Sequence, residues 1–429
     1  MKRTRHIALA IVGSVGGRAA TLLAPFFVMP AMLIHLGDRD FGIWVTAIAI
    51  TSVAQFADLG IGSGLLTRLS AAFARDDKAN IRRDITNAYT VLTAISVPMF
   101  LLGLVGMVTL WPSVSPIYGA VFVAFAVTIP ASVIQRVLYA SQQVVRANLW
   151  QMAAAGISVA AAFWSIYAGF SAAAVVLSYA IITPVTMIAA ALLTFSARRE
   201  IAPHWSYVSL DSTRDLMGIG SRFLILSVLT ATAMSADNIL IALQLGEAAV
   251  TDYAVPARIG SLLTLVVVTL MMPLWPTYGD AIARHELSWV WRNVRQMALL
   301  GLTAVVAVGA VLIAFIDPIL MLWMGRKFEN AQWIIAGLAT FAAVTAIAAP
   351  FNMVLNASGA TRSQIIAWSL FLPLALVAKW LLLAEFGVWM LPLVDAIFYA
   401  LVILPAMAIV ARKTLQPGQS DLPEVTERP

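Results

Sequence analysis

Twelve apolar runs, each long enough to cross a bilayer, recur along this sequence with charged or turn-like breaks between them. A crossing takes about 20 mainly apolar residues. The runs cover about 7–35, 41–69, 85–110, 117–140, 146–168, 172–196, 215–245, 249–279, 295–316, 329–355, 363–384 and 387–411. Hydrophobic residues fill 61% of the 429 positions and charged ones only 11%, whereas a soluble domain carries about 25% charged residues. Hydrocarbon offers no water to backbone N–H and C=O groups, so each run must satisfy them within its own helix. The expected fold class is an all-α polytopic membrane protein of about twelve transmembrane helices. The basic start, Met1 to His6, resembles a secretion signal, but its apolar run is too long, contains Arg18 and lacks a small-residue cleavage site. It reads as a retained first helix.

Charge sets the expected topology. The net charge of +6 does not point to nucleic acid, because the basic residues sit in short clusters between the runs. With the N-terminus inside, eighteen of the 27 Lys and Arg residues fall on the cytoplasmic side, against Arg39, Arg326 and Lys327 outside. That bias places both termini in the cytoplasm and makes the number of spans even. The longest interior connection, 197–214, divides the chain into an N-lobe at 1–200 and a C-lobe at 201–413, with a disordered cytoplasmic tail at 414–429. A faint repeat relates the lobes. Span one carries Gly17-Arg18 and ends at Leu36-Gly37, with Trp44 seven residues on; span seven carries Ser221-Arg222 and ends at Leu245-Gly246, with Tyr253 seven residues on. Six spans per lobe make this a parallel repeat about a pseudo-two-fold axis along the membrane normal.

Charges inside the spans carry the functional information, since an Arg or Asp at a helix centre costs about 2.5–3.5 kcal/mol even on the lenient insertion scale. Arg18, Arg222 and Arg258 are expected to face a cavity, a structural ion pair being the competing reading. Arg68, Arg136 and Lys379 lie closer to span ends, where a stem in lipid with its head at the interface competes with a cavity role. Guanidinium groups match phosphate oxygens bidentately and stay charged at any working pH, so several of them together suggest an anionic ligand. Asp58 and Asp237 are candidates for proton or sodium coupling, or else they neutralise the arginines. Asn352 and Asn356 share a face of span ten, as interhelical glue or as sugar hydrogen-bonders. All four histidines lie at or beyond span ends, there is no phosphate-binding loop or metal-ligand cluster, and no nucleophile is placed with a base. No cofactor is implied. The absence of cysteine excludes disulfides.

One stretch, Leu36-Gly37-Asp38-Arg39-Asp40-Phe41-Gly42-Ile43-Trp44 followed by Phe56-Ala57-Asp58-Leu59-Gly60-Ile61-Gly62, resembles the LG…FG.W…DLG.G pattern of O-antigen-type flippases. Leu245-Gly246 followed by Asp252 to Arg258 looks like its second-half counterpart. These flippases are polysaccharide exporters of the multidrug/oligosaccharidyl-lipid/polysaccharide (MOP) superfamily, which shares the MATE fold. The resemblance implies translocation of an undecaprenyl-pyrophosphate-linked oligosaccharide across the bacterial inner membrane by rocking of two six-helix lobes. It implies no enzymatic activity, membrane lipids and polysaccharide-assembly machinery as neighbours, and a monomer. Related lipid II flippases carry cavity arginines in spans one, two and eight; Arg18 and Arg258 fit that placement, and Arg68 less well. Multidrug exporters of the superfamily often carry an acid in span one, where this chain has Arg18. A cation-coupled small-molecule exporter on the same fold is the first rival. A membrane-bound glycan polymerase or acyltransferase is the second, although such enzymes need a large outer loop or an intramembrane His.

Overall fold

The computed structural model describes residues 2–54, 61–109, 115–271, 274–358 and 360–416; within them the side chains of 2–23, 53–54, 61–64, 67, 71, 74, 102–103, 106–109, 210–224, 226–227, 276, 283 and 361 lie outside the description. The described chain is helical almost throughout. In order run α1 (Lys2–Ala54), α2 (Ile61–Ala74), α3 (Lys78–Thr109), α4 (Pro116–Ala131), α5 (Val133–Ala140), α6 (Val144–Tyr167), α7 (Ala172–Ala197), α8 (Leu210–Leu245), α9 (Glu247–Met271), α10 (Leu274–Ala283), α11 (Leu287–Met324), α12 (Ala331–Ala357), α13 (Thr361–Phe386), α14 (Leu391–Phe398) and α15 (Leu404–Thr414). Nine helical stretches among the described residues are long and apolar enough to cross a membrane, from Pro116–Ala140 to Val388–Thr414. They coincide with the fourth to twelfth apolar runs. α1 covers the first apolar run and the start of the second, divided at Gly37, whose φ of 75° and ψ of 171° take the chain out of the helix.

Local chemistry explains where the helices turn. Among the described residues, every glycine at positive φ, namely Gly37, Gly169, Gly246, Gly325 and Gly387, lies in or directly beside a connection assigned to the outer side from charge. A side chain there would meet its own backbone. Ser115 caps α4, its hydroxyl accepting from the Ile117 N–H, with Pro116 in the first turn. The twelfth crossing is interrupted: α14 passes through a π turn at Tyr399–Ile403 into α15, with prolines near the start of each α segment.

The chain forms two compact units, 1–228 and 229–429, dividing inside α8. In the first, α1 packs on α6, α6 on α7, and α4 between α3 and α7. Its core joins Leu65, Leu69, Ile81, Ile85, Phe125, Ile134 and Leu138. The connection after α7 is ordered and bound to α3. Arg82 Nε donates to the Ala202 carbonyl at 2.8 Å, the His204 N–H to Thr86 Oγ1 at 3.1 Å, and the Ser209 N–H to Asn87 Oδ1 at 2.8 Å. One ion pair joins α2 and α3: Arg68 Nε and Nη2 each donate to a different oxygen of Asp84 at 3.0 Å, with Asp84 2% exposed.

In the second unit α12 is central, packed against α9, α11, α14 and α15. It carries no charged residue and presents small ones to its neighbours. A methyl group added at Gly309 of α11 would stand 3.0 Å from the Ala339 Cβ. Without a hydrophobic driving force between helices in lipid, such close approach supplies the attraction.

Gly309→Leu should therefore force α11 off α12 and cost about 1–3 kcal/mol. The measurement is the thermal midpoint in detergent, which falls by several degrees, whereas Gly156→Leu, where nothing lies within 4 Å of the added carbon, leaves it unchanged. Asp84→Ala removes the counter-charge of Arg68 and should cost about 3–5 kcal/mol. Size-exclusion profiles of fluorescent fusions report it as lost monodisperse protein, partly restored in the Arg68→Ala, Asp84→Ala double variant; a neutral single variant contradicts the assignment.

Candidate functional site

Two polar features stand out against the apolar helices, one in each unit. The first is a hollow of about 490 Å³ among α1, α4, α5, α6 and α7. Arg136, Gln135, Gln151, Thr128, Ser132, Ser158, Thr183 and Tyr179 line it, interleaved with Ala24, Phe125, Ala154 and Met187. The α4–α5 junction creates it. Pro130 lacks an N–H and Ser132 closes the α4 C-terminus, so the fourth crossing changes helix there and sets Gln135 and Arg136 on the hollow. Ser158 is buried and its hydroxyl has no partner. Gln135 Nε2 donates to the Met187 sulfur at 3.3 Å, a weak acceptor that a ligand oxygen would outcompete. Among the described residues, no carboxylate belongs to the lining.

The second feature is an ionic cluster in the 229–429 unit. Lys379 of α13 is 1% exposed, and its Nζ donates to Asp237 Oδ1 of α8 at 2.5 Å and to Asp395 Oδ2 of α14 at 2.7 Å. The hydroxyl of Tyr253 on α9 donates to Asp237 Oδ2 at 2.6 Å. Gln244, two turns along α8 from Asp237, donates to the Trp380 carbonyl at 2.8 Å and ties α8 to α13 beside the cluster. The turns fix the register. Lys379 and Asp395 stand eight residues before and after Gly387, while Asp237 and Tyr253 stand nine before and seven after Gly246. Four helices thus bring these groups to one depth, about 12 Å of helix from the turns. The snorkelling alternative for Lys379 is corrected here: with two carboxylates within reach, the ammonium turns inward instead of extending to the interface.

The other expected site residues are dispersed. Arg68 is held by Asp84 and lies away from the hollow's lining. Arg258 lies half-buried on α9, two residues after Pro256, and its carbonyl accepts from Ser261 Oγ at 2.6 Å. Arg18 lies on α1 and Arg222 on α8, both outside the described side chains, and Asp58 lies outside the described residues. Asp237 meets a lysine and a tyrosine, not an arginine. Asn356 accepts from Gln364 Nε2 of α13 at 2.8 Å, as interhelical glue does. Gln151 carries no signal in the sequence beyond being polar within an apolar run. Lys379 and Asp395 are opposite charges placed symmetrically about one glycine, and that spacing is the signal that finds the pair.

Comparison with known proteins agrees with this fold. Residues 11–281 match the family model described as polysaccharide biosynthesis protein. No curated protein matches. The fold is similar to an inward-facing multidrug resistance MATE family transporter of the MOP superfamily, with a TM-score of 0.78, 12% identity, and 94% of this chain and 98% of the other covered. An outward-facing MATE family transporter aligns with a TM-score of 0.66 at 14% identity over 94% and 96%. A MOP superfamily transporter from Pyrococcus furiosus, for which reverse polarity of the binding pocket suggests a different function, aligns with a TM-score of 0.61 at 14% identity over 93% and 96%. The chain is a multi-pass membrane protein with the MOP fold, and it belongs to the polysaccharide biosynthesis protein family.

Proposed function

We propose that this chain flips an undecaprenyl-pyrophosphate-linked oligosaccharide across the bacterial inner membrane by alternating access, its two six-helix halves rocking as lobes and both termini in the cytoplasm. It acts as a carrier and not as an enzyme. The observation that carries the reading is the lining of the 490 Å³ hollow: one guanidinium, two carboxamides and a row of hydroxyls, with no carboxylate among the described residues. A guanidinium fork suits phosphate oxygens. Carboxamides and hydroxyls both donate and accept, which suits the hydroxyls of a sugar. Family membership supports the same substrate class.

In this scheme Arg136 joins Arg18, Arg222 and Arg258 in holding the pyrophosphate at successive stages, while Arg68 remains with Asp84. Asp58 and Asp237 would couple the cycle to a cation gradient. The chain works as a monomer beside the enzymes that assemble the glycan.

Export of small organic molecules is a second reading, favoured by fold neighbours named as multidrug transporters. The hollow argues against it, since an organic cation would meet Arg136 and, among the described residues, no counter-charge there.

Arg136→Ala should lower surface glycan at least tenfold in a strain that depends on this chain, because a hydrogen bond to a charged group contributes about 1.5–3 kcal/mol. Gln151→Ala should lower it less, and Arg136→Lys, which keeps charge but loses the fork, should fall between. Immunoblots of membranes check that chain levels are equal. Full surface glycan in Arg136→Ala and Gln151→Ala, or new drug resistance with glycan unchanged, overturns the assignment.

A further inference from the structure

The Asp237–Lys379–Asp395 cluster has features that packing does not require. Positions at the same distances from the matching turns of the first unit carry no charge. Counting from Gly37 as from Gly246, the counterparts of Asp237 and Tyr253 are Val28 and Trp44, both buried. Counting from Gly169 as from Gly387, the counterparts of Lys379 and Asp395 are Ala161 and Leu177. Apolar side chains therefore suffice to close this part of a six-helix unit. Replacing a buried ionic group by well-packed apolar residues is often neutral or stabilising, so the ionic version implies a use.

The charges do not balance. Two carboxylates face one ammonium, which leaves one negative charge in excess where Lys379 is 1% exposed. Tyr253 donates a hydrogen bond but brings no charge. Among the described side chains, the charged groups bonded to Asp237 and Asp395 are those of the cluster itself; Asp252, adjacent to Tyr253, meets Arg326 at 3.8 Å, and Glu385 is exposed. α12 has no charged residue. Two carboxylate oxygens, Asp237 Oδ1 of α8 and Asp395 Oδ2 of α14, form a donor pair that suits a small monovalent cation. Its centre is filled by Lys379 Nζ, at 2.5 and 2.7 Å from the two carboxylates.

We propose that this cluster is a proton-binding site of the transport cycle, in which the Lys379 ammonium stands where a metal cation would sit, so that the site exchanges a proton on its carboxylates and takes no sodium. Protonation of Asp237 or Asp395 neutralises the excess charge and releases one arm of the lysine bridge. Because the bridged groups sit on α8, α13 and α14, gain and loss of that proton changes how firmly these helices are held together. The inference deepens the carrier reading by naming the coupling ion, and it does not depend on the identity of the glycan.

Purified protein in detergent tests it without substrate. Proton uptake is measured with an indicator dye as pH is lowered from alkaline to mildly acidic, and thermal midpoints are compared in sodium and choline chloride at equal ionic strength. The wild type should take up about one proton more per chain than Asp395→Asn, in which the remaining Asp237–Lys379 pair is already neutral. Its thermal midpoint should not respond to sodium. Lys379→Ala should empty the centre of the donor set and acquire a sodium-dependent midpoint a few degrees higher in sodium than in choline. Should that variant fail to fold, the proton count of Asp395→Asn decides alone. Equal uptake by wild type and Asp395→Asn, or sodium stabilisation of the wild type, overturns the proposal. Glycan export is read separately in cells, so failure of the proton site and failure of the flippase reading remain distinguishable.

Discussion

The cost of leaving a charge unpartnered in hydrocarbon shapes this molecule more than any other term. Apolar helices alone would close both units, as the uncharged counterparts of the ionic cluster in the first unit illustrate. Arg68, Lys379 and Arg136, charges inside the crossings, are accordingly withdrawn from the acyl chains. Arg68 is gripped by both oxygens of Asp84, Lys379 by two aspartates, and Arg136 stands in a hollow lined with amides and hydroxyls. The three arrangements differ in kind. A bidentate pair satisfies both partners and fixes two helices, a cluster with excess charge invites a proton, and a guanidinium in a hollow whose described lining holds no carboxylate invites an anion.

The two halves use one template and furnish it differently. Leu36-Gly37 and Leu245-Gly246 both turn at a positive φ, and an aromatic residue follows seven positions later in each. In the first half that residue is Trp44, which packs edge-on against Tyr179 at 5.9 Å. In the second it is Tyr253, whose hydroxyl reaches Asp237. Under the proposed mechanism this division separates labour: the first half offers a guest neutral hydrogen-bonding groups and a fixed positive charge, and the second holds the groups that exchange a proton.

Much of this was legible in the sequence because the bilayer makes hydropathy nearly sufficient. The runs at 117–140, 172–196 and 363–384 match helices within a few residues, since leaving the helix inside lipid would strand backbone groups. The run at 295–316 falls short of α11, Leu287–Met324, because its ends extend through polar residues that hydropathy rejects and backbone hydrogen bonds accept. Side-chain direction was the part that could not be read. Lys379 lies close enough to an outer end to snorkel, and only the pairing of α13 with α8 and α14 shows where its ammonium goes. Arg136 reaches the hollow because the α4–α5 junction turns it, and that junction is visible in the sequence only as one proline inside an apolar run.

The central claim is that polar groups inside the crossings face a wet interior able to hold a charged guest. The absence of cysteine from the chain lets single cysteines report directly on it, using a hydrophilic maleimide on the protein in membranes. Cysteines at Ser132 and Thr183, on the lining of the hollow, should label readily, and inorganic pyrophosphate should slow them. A cysteine at Leu192, an exposed apolar position on α7, should stay unlabelled. Lining positions as inert as Leu192 would mean that the hollow is dry, and would contradict the account.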